Sequence, residues 1–268
     1  MIQILTQDKD FFPANLTDKF FYLKEMGFDG FEIDGKLLLN NFAEVKSAIE
    51  QTSFPVVSAC GGYKGWIGDF DKDKREKSIQ DISSILEQLG KLNAKGIVIP
   101  AAWGMFSLRL PPMVPPRSSA EDEAVLSASL KQLNEVAVKH KVSVFLEPLN
   151  RYEDHMINTL ERAAYYIERN SLQGVKIIAD FYHMNIEEAK IEESILKHAH
   201  LIKHIHLADS HRFQPGTGHI DFKKGFKALK QINYDGAMAV ECRVNGNDQH
   251  AAYKKSLQFI RDVYFKTL

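Results

Sequence analysis

The sequence has few of the features that mark several classes of protein. Two cysteines in 268 residues, Cys60 and Cys242, are too few for a disulfide framework and fit a reducing compartment. The formal net charge of -1 lacks the basic excess that usually accompanies nucleic-acid binding. No apolar run approaches the ~20 residues of a membrane span, and the N-terminus lacks the basic and apolar segments of a signal peptide. We therefore expect a cytoplasmic protein that binds neither nucleic acid nor membranes.

Eight short apolar runs alternate with stretches of helical periodicity along the whole chain. The predicted strands cover residues 2–6, 31–34, 56–60, 96–101, 142–149, 175–181, 202–209 and 237–242. The predicted helices cover residues 16–26, 41–51, 79–92, 121–140, 158–170, 187–200, 222–232 and 249–266. This alternation predicts a parallel sheet, and eight repeats predict an α/β fold with a single (β/α)8 TIM barrel domain over residues 1–268. An open doubly wound sheet is the alternative, but no Gly-x-Gly-x-x-Gly motif follows the first strand.

Four polar side chains stand at or near the ends of the last four predicted strands. They are Glu147, Asp180, His206 and Glu241. The carboxyl ends of the strands form the active-site face of such a barrel, and each residue alone would more often be a solvated loop residue. Three carboxylates gathered at one point repel each other, and a divalent cation removes that conflict. Two glutamates, one aspartate and one histidine suit Mn²⁺ first, with Mg²⁺, Co²⁺ or Zn²⁺ as alternatives.

Other polar and aromatic groups suit a substrate better than a metal. Arg212 offers fixed donors to oxygen atoms, and His183 and Glu153 are placed to bind hydroxyls. Trp103 begins a long loop, residues 103–120, which holds four prolines and is expected to cover the mouth of the active site. The alternative interpretation is that Arg212 and Glu153 are ordinary surface residues.

Several segments resemble the xylose isomerase-like TIM barrels. They are KEMGFDGFEID (24–34), LEPLNRYE (146–153), DFYHMNIEE (180–188), HIHLADSHRFQPGTGHIDF (204–222) and VEC (240–242). Within that superfamily they look most like the ketose 3-epimerases of the D-tagatose and D-psicose group. The resemblance implies one divalent metal ion held by Glu147, Asp180, His206 and Glu241, a small sugar as substrate, and a homodimer or homotetramer.

The resemblance also implies a mechanism and roles for the site residues. Glu147 and Glu241 match the acid/base pair, whereas Glu153, His183 and Arg212 match the groups that hold the carbonyl end of the substrate. One glutamate would remove the C3 proton of a ketose and the other would return a proton on the opposite face, through an enediolate. Return of the proton to C1 would instead give aldose–ketose isomerisation.

The chemistry of these residues leaves other functions open. An inosose-type keto-polyol dehydratase or isomerase would share the metal and the proton abstraction, as would a hydroxypyruvate isomerase-like enzyme. An endonuclease IV-like nuclease needs further zinc-binding histidines, which are absent from SACGG (58–62) and PAAWG (100–104). A binding module without activity would not need paired glutamates. The sequence does not name the sugar, and Lys64, Arg109 or Arg117 could hold a phosphate if it carries one.

The stretch from His204 to Phe222 also contains residues for which we predict structural roles. His204 is expected to be a buried barrel histidine below the metal ligand His206. Pro215-Gly216-Thr217-Gly218 is expected to turn the chain so that Arg212 faces the pocket, since glycine permits backbone angles that other residues avoid. Asp221 is expected to cap the next helix.

Overall fold

The structure is a computed structural model that describes residues 2–108 and 113–266. Eight parallel strands close into a barrel in chain order, β1 to β8, which confirms the predicted (β/α)8 fold. The strands are β1 Gln3–Thr6, β2 Gly30–Asp34, β3 Val56–Cys60, β4 Gly96–Pro100, β5 Ser143–Glu147, β6 Val175–Asp180, β7 Ile202–Leu207 and β8 Ala237–Val240.

Ten helices are found in the described part of the chain. They are α1 Leu16–Met26, α2 Gly35–Asn40, α3 Phe42–Thr52, α4 Lys72–Lys91, α5 Ser119–His140, α6 Leu160–Arg169, α7 Phe181–Glu187, α8 Ile191–Lys197, α9 Phe222–Gln231 and α10 Gln249–Lys266. Within the described residues, no helix combines the length and apolar character that crossing a membrane would take.

Two short helices, α2 and α7, were not predicted, because each begins directly after a strand with no loop between them. Asp34 and Asp180 end β2 and β6, and their side chains accept backbone N–H groups from the first turn of the following helix. An aspartate in this position satisfies N–H groups that a helix start leaves unpaired. The predicted bounds of the strand at 175–181 and of the helix at 187–200 are therefore wrong. The strand ends at Asp180, and the helix is α8, Ile191–Lys197.

The start of α4 was also misplaced, because its first turns carry charged rather than apolar residues. The helix was predicted from 79 but begins at Lys72, where the side chain of Asp71 accepts the N–H groups of Asp73 and Lys74. The start of α5 carries a reciprocal capping box between Ser118 and Glu121. As predicted, Asp221 caps α9 by accepting the N–H of Lys224.

Side chains fill the interior of the barrel beneath its carboxyl end. Phe145 of β5 stacks on His204 of β7, with ring centroids 4.8 Å apart and planes at 9°. His204 is buried, as predicted. Smaller apolar groups complete the layer, namely Leu5, Val57, Val98, Ile178, Ala237 and Ala239. The barrel interior is therefore packed with side chains rather than open as a channel, and the polar groups lie above these side chains at the ends of the strands. Both cysteines are free, Cys242 buried and Cys60 partly so.

Candidate functional site

The four predicted ligand side chains meet at the carboxyl end of the barrel. Glu147 and Asp180 are the last residues of β5 and β6, His206 lies in β7, and Glu241 directly follows β8. Asp180 pairs with His206 across the sheet, so their side chains share the inward face. One potential ligand atom from each of the four residues lies within 4.8 Å of the others. Neighbouring parallel strands therefore bring together residues up to 94 positions apart in sequence.

The ring of His206 shows that this cluster fits a cation. Its Nδ1 atom lies 2.9 Å from Glu241 Oε2, 3.4 Å from Glu147 Oε1 and 3.9 Å from Asp180 Oδ2. Nevertheless His206 Nδ1 and Glu147 Oε1 are buried and make no hydrogen bond of acceptable geometry. Unpaired buried polar atoms are costly, and a shared cation would satisfy both of them. The donor set of three carboxylates and one imidazole suits a divalent ion such as Mn²⁺.

The two glutamates of the cluster differ in their electrostatic surroundings. Burial, together with the nearby charge of Glu241, raises the pKa of Glu147. Burial on its own would also raise the pKa of Glu241, but the charges of Arg212 and His206 outweigh it and hold the pKa below its ordinary value. In the absence of a cation, Glu147 therefore takes up a proton more readily than Glu241. Carboxylates whose pKa values are pushed apart are typical of acid/base pairs.

Glu32 of β2 is a buried member of the site that the sequence analysis did not single out. Its Oε1 accepts from His206 Nε2 and its Oε2 from His204 Nε2, both at 2.7 Å. Ser58 and Gln7 donate to the same carboxylate at 2.6 and 3.0 Å. These hydrogen bonds hold Glu32 in place, and Glu32 in turn holds the ring of His206 so that Nδ1 points into the cluster.

The carboxylate of Glu32 carries its charge despite complete burial. Burial alone would raise the pKa of Glu32, but the charges of His206 and His204 outweigh it and hold the pKa well below its ordinary value. Burial would likewise lower the pKa of His206, but Glu32 and Glu241 outweigh it and hold that pKa well above its ordinary value. Burial does lower the pKa of His204, so His206 is the more basic of the two histidines.

Arg212 lies against the cluster rather than on the open surface. It donates from Nη1 to Asp180 Oδ2 at 2.7 Å and from Nη2 to Glu241 Oε2. Its guanidinium stacks over the ring of Tyr182, 4.7 Å from the centroid. The residue itself has a left-handed backbone, with φ of 64°. Arg212 therefore lies at the site, where the carboxylates of Asp180 and Glu241 hold it.

The other predicted substrate residues form a chain of hydrogen bonds beside the cluster. His183 Nδ1 accepts the backbone N–H of Asn150 at 3.0 Å, which leaves the ring proton on Nε2. The Asn150 amide donates to Glu153 Oε1 at 2.8 Å, and Trp103 Nε1 donates to Glu153 Oε2 at 3.0 Å. His183 Nε2 lies 4.0 Å from Asp180 Oδ2. His183, Glu153 and Trp103 are therefore connected to one another and reach the metal cluster through His183, and Asn150 joins them without having been predicted.

Asp209 organises the loop that carries Arg212. Its buried carboxylate accepts the backbone N–H groups of Ser210 and Ile220 on Oδ1, at 2.8 and 3.2 Å. Gly216 and Thr217 donate to Oδ2, at 2.9 and 3.0 Å. Gly216 has φ of 92°, as the predicted turn requires. A Cβ on the next glycine, Gly218, would clash with Asp209 Oδ1, so that position needs glycine for space rather than for its backbone angle.

We expect Asp209→Asn to destabilise the protein. The amide nitrogen of asparagine cannot accept, so N–H groups that Asp209 now pairs lose their partner, at about 1–3 kcal/mol each. Denaturant titration measures the fall in the free energy of unfolding. Asp221→Asn is the matched control, because asparagine caps a helix about as well as aspartate. Wild-type stability in Asp209→Asn would show that the loop does not depend on this carboxylate.

The same substitution should change how stability depends on pH. Burial on its own would raise the pKa of Asp209, but the backbone N–H groups that it accepts outweigh burial and lower the pKa. A lowered pKa stabilises the folded protein above the unfolded-state value of about 4 and loses that contribution as the pH falls further. The free energy of unfolding of the wild type should therefore fall more steeply below pH ~4 than that of Asp209→Asn.

The residues suggested for phosphate binding have different surroundings. The guanidinium of Arg117 is engaged by Asp122 at 2.7 Å and by the backbone carbonyls of Gly68 and Asp69. These contacts indicate that Arg117 stabilises the local structure. Lys64 is exposed, and Arg109 lies outside the described residues.

Comparison with known proteins places this barrel in a family. The chain matches the xylose isomerase-like TIM barrel family over residues 20–263 and belongs to it. Over 260 residues it is 52% identical to 3-dehydro-D-guloside 4-epimerase of Escherichia coli (strain K12), covering 97% of this chain and 99% of that protein. The protein is accordingly a sugar epimerase of this family, an enzyme of the isomerase class.

Two further comparisons agree in fold and in class. The crystal structure of 3-keto-D-glucoside 4-epimerase from E. coli, in its apo form, superposes with a TM-score of 0.95 at 52% identity, covering 97% of this chain and 99% of that one. A ketose 3-epimerase of Arthrobacter globiformis is 42% identical over 100 residues, which are 37% of this chain and 35% of that protein. The sequence identity to this ketose 3-epimerase therefore covers 37% of the chain, whereas the identity to the E. coli 4-epimerase extends over 97% of it.

Proposed function

We propose that the protein is a divalent-metal-dependent 4-epimerase of 3-keto-glycosides. The observation that carries this proposal is the pair of glutamates, Glu147 and Glu241, which reach one buried cluster with Asp180 and His206 from separate strands. Such a pair is suited to removing a proton from carbon and returning it from another side. The 52% identity to a 4-epimerase over 97% of the chain selects the substrate class.

The carbon next to a ketone is the acidic position of a sugar, so a C3 ketone activates C4. Glu241, whose pKa Arg212 and His206 hold below its ordinary value, removes the C4 proton. Glu147, whose pKa burial raises, returns a proton to the opposite face and inverts the centre. Glu147 and Glu241 come from β5 and the end of β8, so the two carboxylates reach the pocket from separate strands. The reverse reaction exchanges the two roles.

The polar groups of the site would hold the metal ion and orient the substrate. Glu147, Asp180, His206 and Glu241 would hold one divalent ion, Mn²⁺ by preference, and when bound this ion supplies Lewis-acid stabilisation of negative charge on the substrate oxygens. His183 presents its Nε2–H to a substrate oxygen, because its Nδ1 is already occupied by Asn150. Arg212 directs its donors to the same place, and Glu153 accepts a hydroxyl beside Trp103.

The local similarity to ketose 3-epimerases favours a second candidate function. A ketose with its carbonyl at C2 would lose and regain the C3 proton at the same two glutamates, as the sequence analysis expected. The metal ligands and the acid/base pair serve both reactions equally, so the difference lies in which substrate the rest of the pocket accepts.

Deuterium uptake from solvent separates the two candidates. Purified protein with Mn²⁺ in D₂O is given methyl 3-keto-D-glucoside, D-fructose, D-psicose and D-tagatose, and NMR follows each carbon-bound proton. We expect exchange at C4 of the keto-glycoside together with its 4-epimer. Faster exchange at C3 of a ketose would favour the second candidate, and loss of water from the product would point to a dehydratase. No exchange with any substrate, in protein that holds its metal, would contradict both candidates.

A further inference from the structure

A cavity lies at the same end of the barrel as the candidate metal cluster. It has a volume of about 670 Å³ and contains no residue of the cluster. Its walls come from the loop between β3 and α4, from the first turns of α4, and from Met105 in the loop after β4. These loops follow the carboxyl ends of their strands, where the active site of a TIM barrel lies.

Two tryptophans connect this cavity to the site. Trp66 lines the cavity, and its ring meets that of Trp103 edge to face, with centroids 5.6 Å apart and planes at 89°. On its other side Trp103 donates to Glu153 at 3.0 Å, and Glu153 is linked through Asn150 to His183. Trp66 and Trp103 therefore connect the wall of the cavity to the residues proposed to hold the substrate.

The cavity wall carries the groups that recognise a sugar ring. Trp66 offers a half-buried aromatic surface for the apolar face of the ring. Asp69 is only 5% exposed, yet it lines the cavity. Its Oδ1 accepts the N–H of Asp71 at 2.9 Å, while Oδ2 has no hydrogen-bond partner among residues 2–108 and 113–266. Arg75 and Arg117 both donate to the backbone carbonyl of Asp69. These two bonds hold the backbone of Asp69 in place, and with it the carboxylate that offers Oδ2 as an acceptor.

Lysines complete the lining with hydrogen-bond donors. Lys64 and Lys74 face the cavity, and neither forms an ion pair within the described residues. The carboxylates of Asp69 and Asp73 lie in the same wall and oppose the binding of an anion. An aromatic surface with one fixed acceptor and flexible donors suits the hydroxyl groups of a neutral sugar better than a phosphate.

We infer that this cavity binds the aglycone of the substrate, and that the aglycone is a second, neutral sugar residue. This inference rests on the proposed function, because only a glycoside carries such a group next to the ring that reacts. The reacting keto-sugar then occupies the metal cluster, and the second ring lies against Trp66 with Asp69 as hydroxyl acceptor. The preferred substrate is accordingly a keto-disaccharide rather than a simple alkyl glycoside.

Two substrates and three variants test the inference. The Mn²⁺-loaded enzyme is assayed with methyl 3-keto-D-glucoside and with the 3-keto form of a glucosyl-glucose disaccharide. Trp66→Ala should lower kcat/KM for the disaccharide about tenfold, equivalent to about 1.4 kcal/mol, mainly through KM. For the methyl glycoside it should change little. Asp69→Asn, which keeps Oδ1 as an acceptor, should show the same selectivity to a smaller extent. Phe265→Ala, which truncates an aromatic residue 54% exposed outside the cavity, should leave both substrates unchanged.

The outcomes distinguish this inference from the proposed function. Equal losses on both substrates, or no loss on either, would overturn the aglycone site and leave the 4-epimerase activity in place. Absence of turnover of both substrates by the wild type would overturn the proposed function, and the aglycone site with it. A wild-type preference for the disaccharide that disappears in Trp66→Ala would support both.

Discussion

Glu241→Gln is expected to lower the rate of C4 proton exchange by about 10²–10⁴-fold, the usual cost of removing one acid/base group. Glutamine has the same shape as glutamate but cannot take up a proton at neutral pH. It also carries no charge, so metal affinity should fall as well. Glu147→Gln should cause a loss of similar size, because the reaction needs one group to remove the proton and another to return it. Both losses are measured as initial rates of deuterium uptake by NMR at saturating Mn²⁺.

The control for this prediction makes the same change away from the site. Glu168 lies on α6 and pairs with His200 at the surface, so Glu168→Gln should keep wild-type activity. Metal content must be measured in each variant, since loss of the ion alone would also abolish turnover. Wild-type exchange rates in a metal-loaded Glu147→Gln or Glu241→Gln variant would show that the pair does not carry out the proton transfer.

The barrel could be predicted from the sequence because each of its eight units repeats the same local pattern. An apolar run of strand length followed by a helical period is visible without any knowledge of distant contacts. The two short helices α2 and α7 were missed because one residue there serves two elements. Asp180 ends β6, caps α7 and points into the metal cluster, so the apolar run through Phe181 continued to look like a strand.

The candidate metal ligands could be predicted for a related reason. In a parallel barrel the carboxyl ends of all strands converge, so polar residues at strand ends meet whatever their separation in sequence. Glu32 could not be found in this way, because it lies in the middle of β2 rather than at its carboxyl end. A charged residue between the apolar residues Phe31 and Ile33 was the local signal, and it did not indicate what the charge would contact.

The substrate was harder to predict than the chemistry. In the proposed mechanism Glu147, Asp180, His206 and Glu241 would act on any sugar with an acidic proton beside a carbonyl, so they would not distinguish a ketose from a keto-glycoside. We propose that this distinction depends on the cavity beyond Trp103, which is formed by loops rather than by strand ends. Loops follow no regular period, and the sequence therefore revealed the reaction type more clearly than the molecule on which it acts.

Glu32→Gln is expected to reduce the affinity of the enzyme for Mn²⁺ by about 10–100-fold, the usual effect of losing a group that orients a ligating histidine. Glu32 now accepts from the Nε2 atoms of both histidines, which keeps Nδ1 of His206 free for the cluster. A glutamine offers one acceptor in place of two and can turn its NH₂ group toward a histidine. Competition between the protein and a fluorescent chelator measures the Mn²⁺ affinity.

Ser58→Ala is the matched control, because it removes one hydrogen bond from the same carboxylate but leaves its charge and both histidine contacts. Its Mn²⁺ affinity should stay close to that of the wild type, since the group that orients His206 is retained. A folded Glu32→Gln variant with unchanged affinity would show that Glu32 does not position His206.

The pH dependence of Mn²⁺ binding gives a second readout that a purely structural role for Glu32 would not change. In the metal-free protein, Glu32 and Glu241 hold the pKa of His206 well above its ordinary value. His206 must lose this proton before Nδ1 can bind a cation, so wild-type affinity should rise with pH through neutrality. Removing the charge of Glu32 lowers the pKa of His206, and the affinity of Glu32→Gln should therefore depend less steeply on pH across the same range. A parallel loss of affinity at every pH would mean that Glu32 orients the ring without setting the charge of His206.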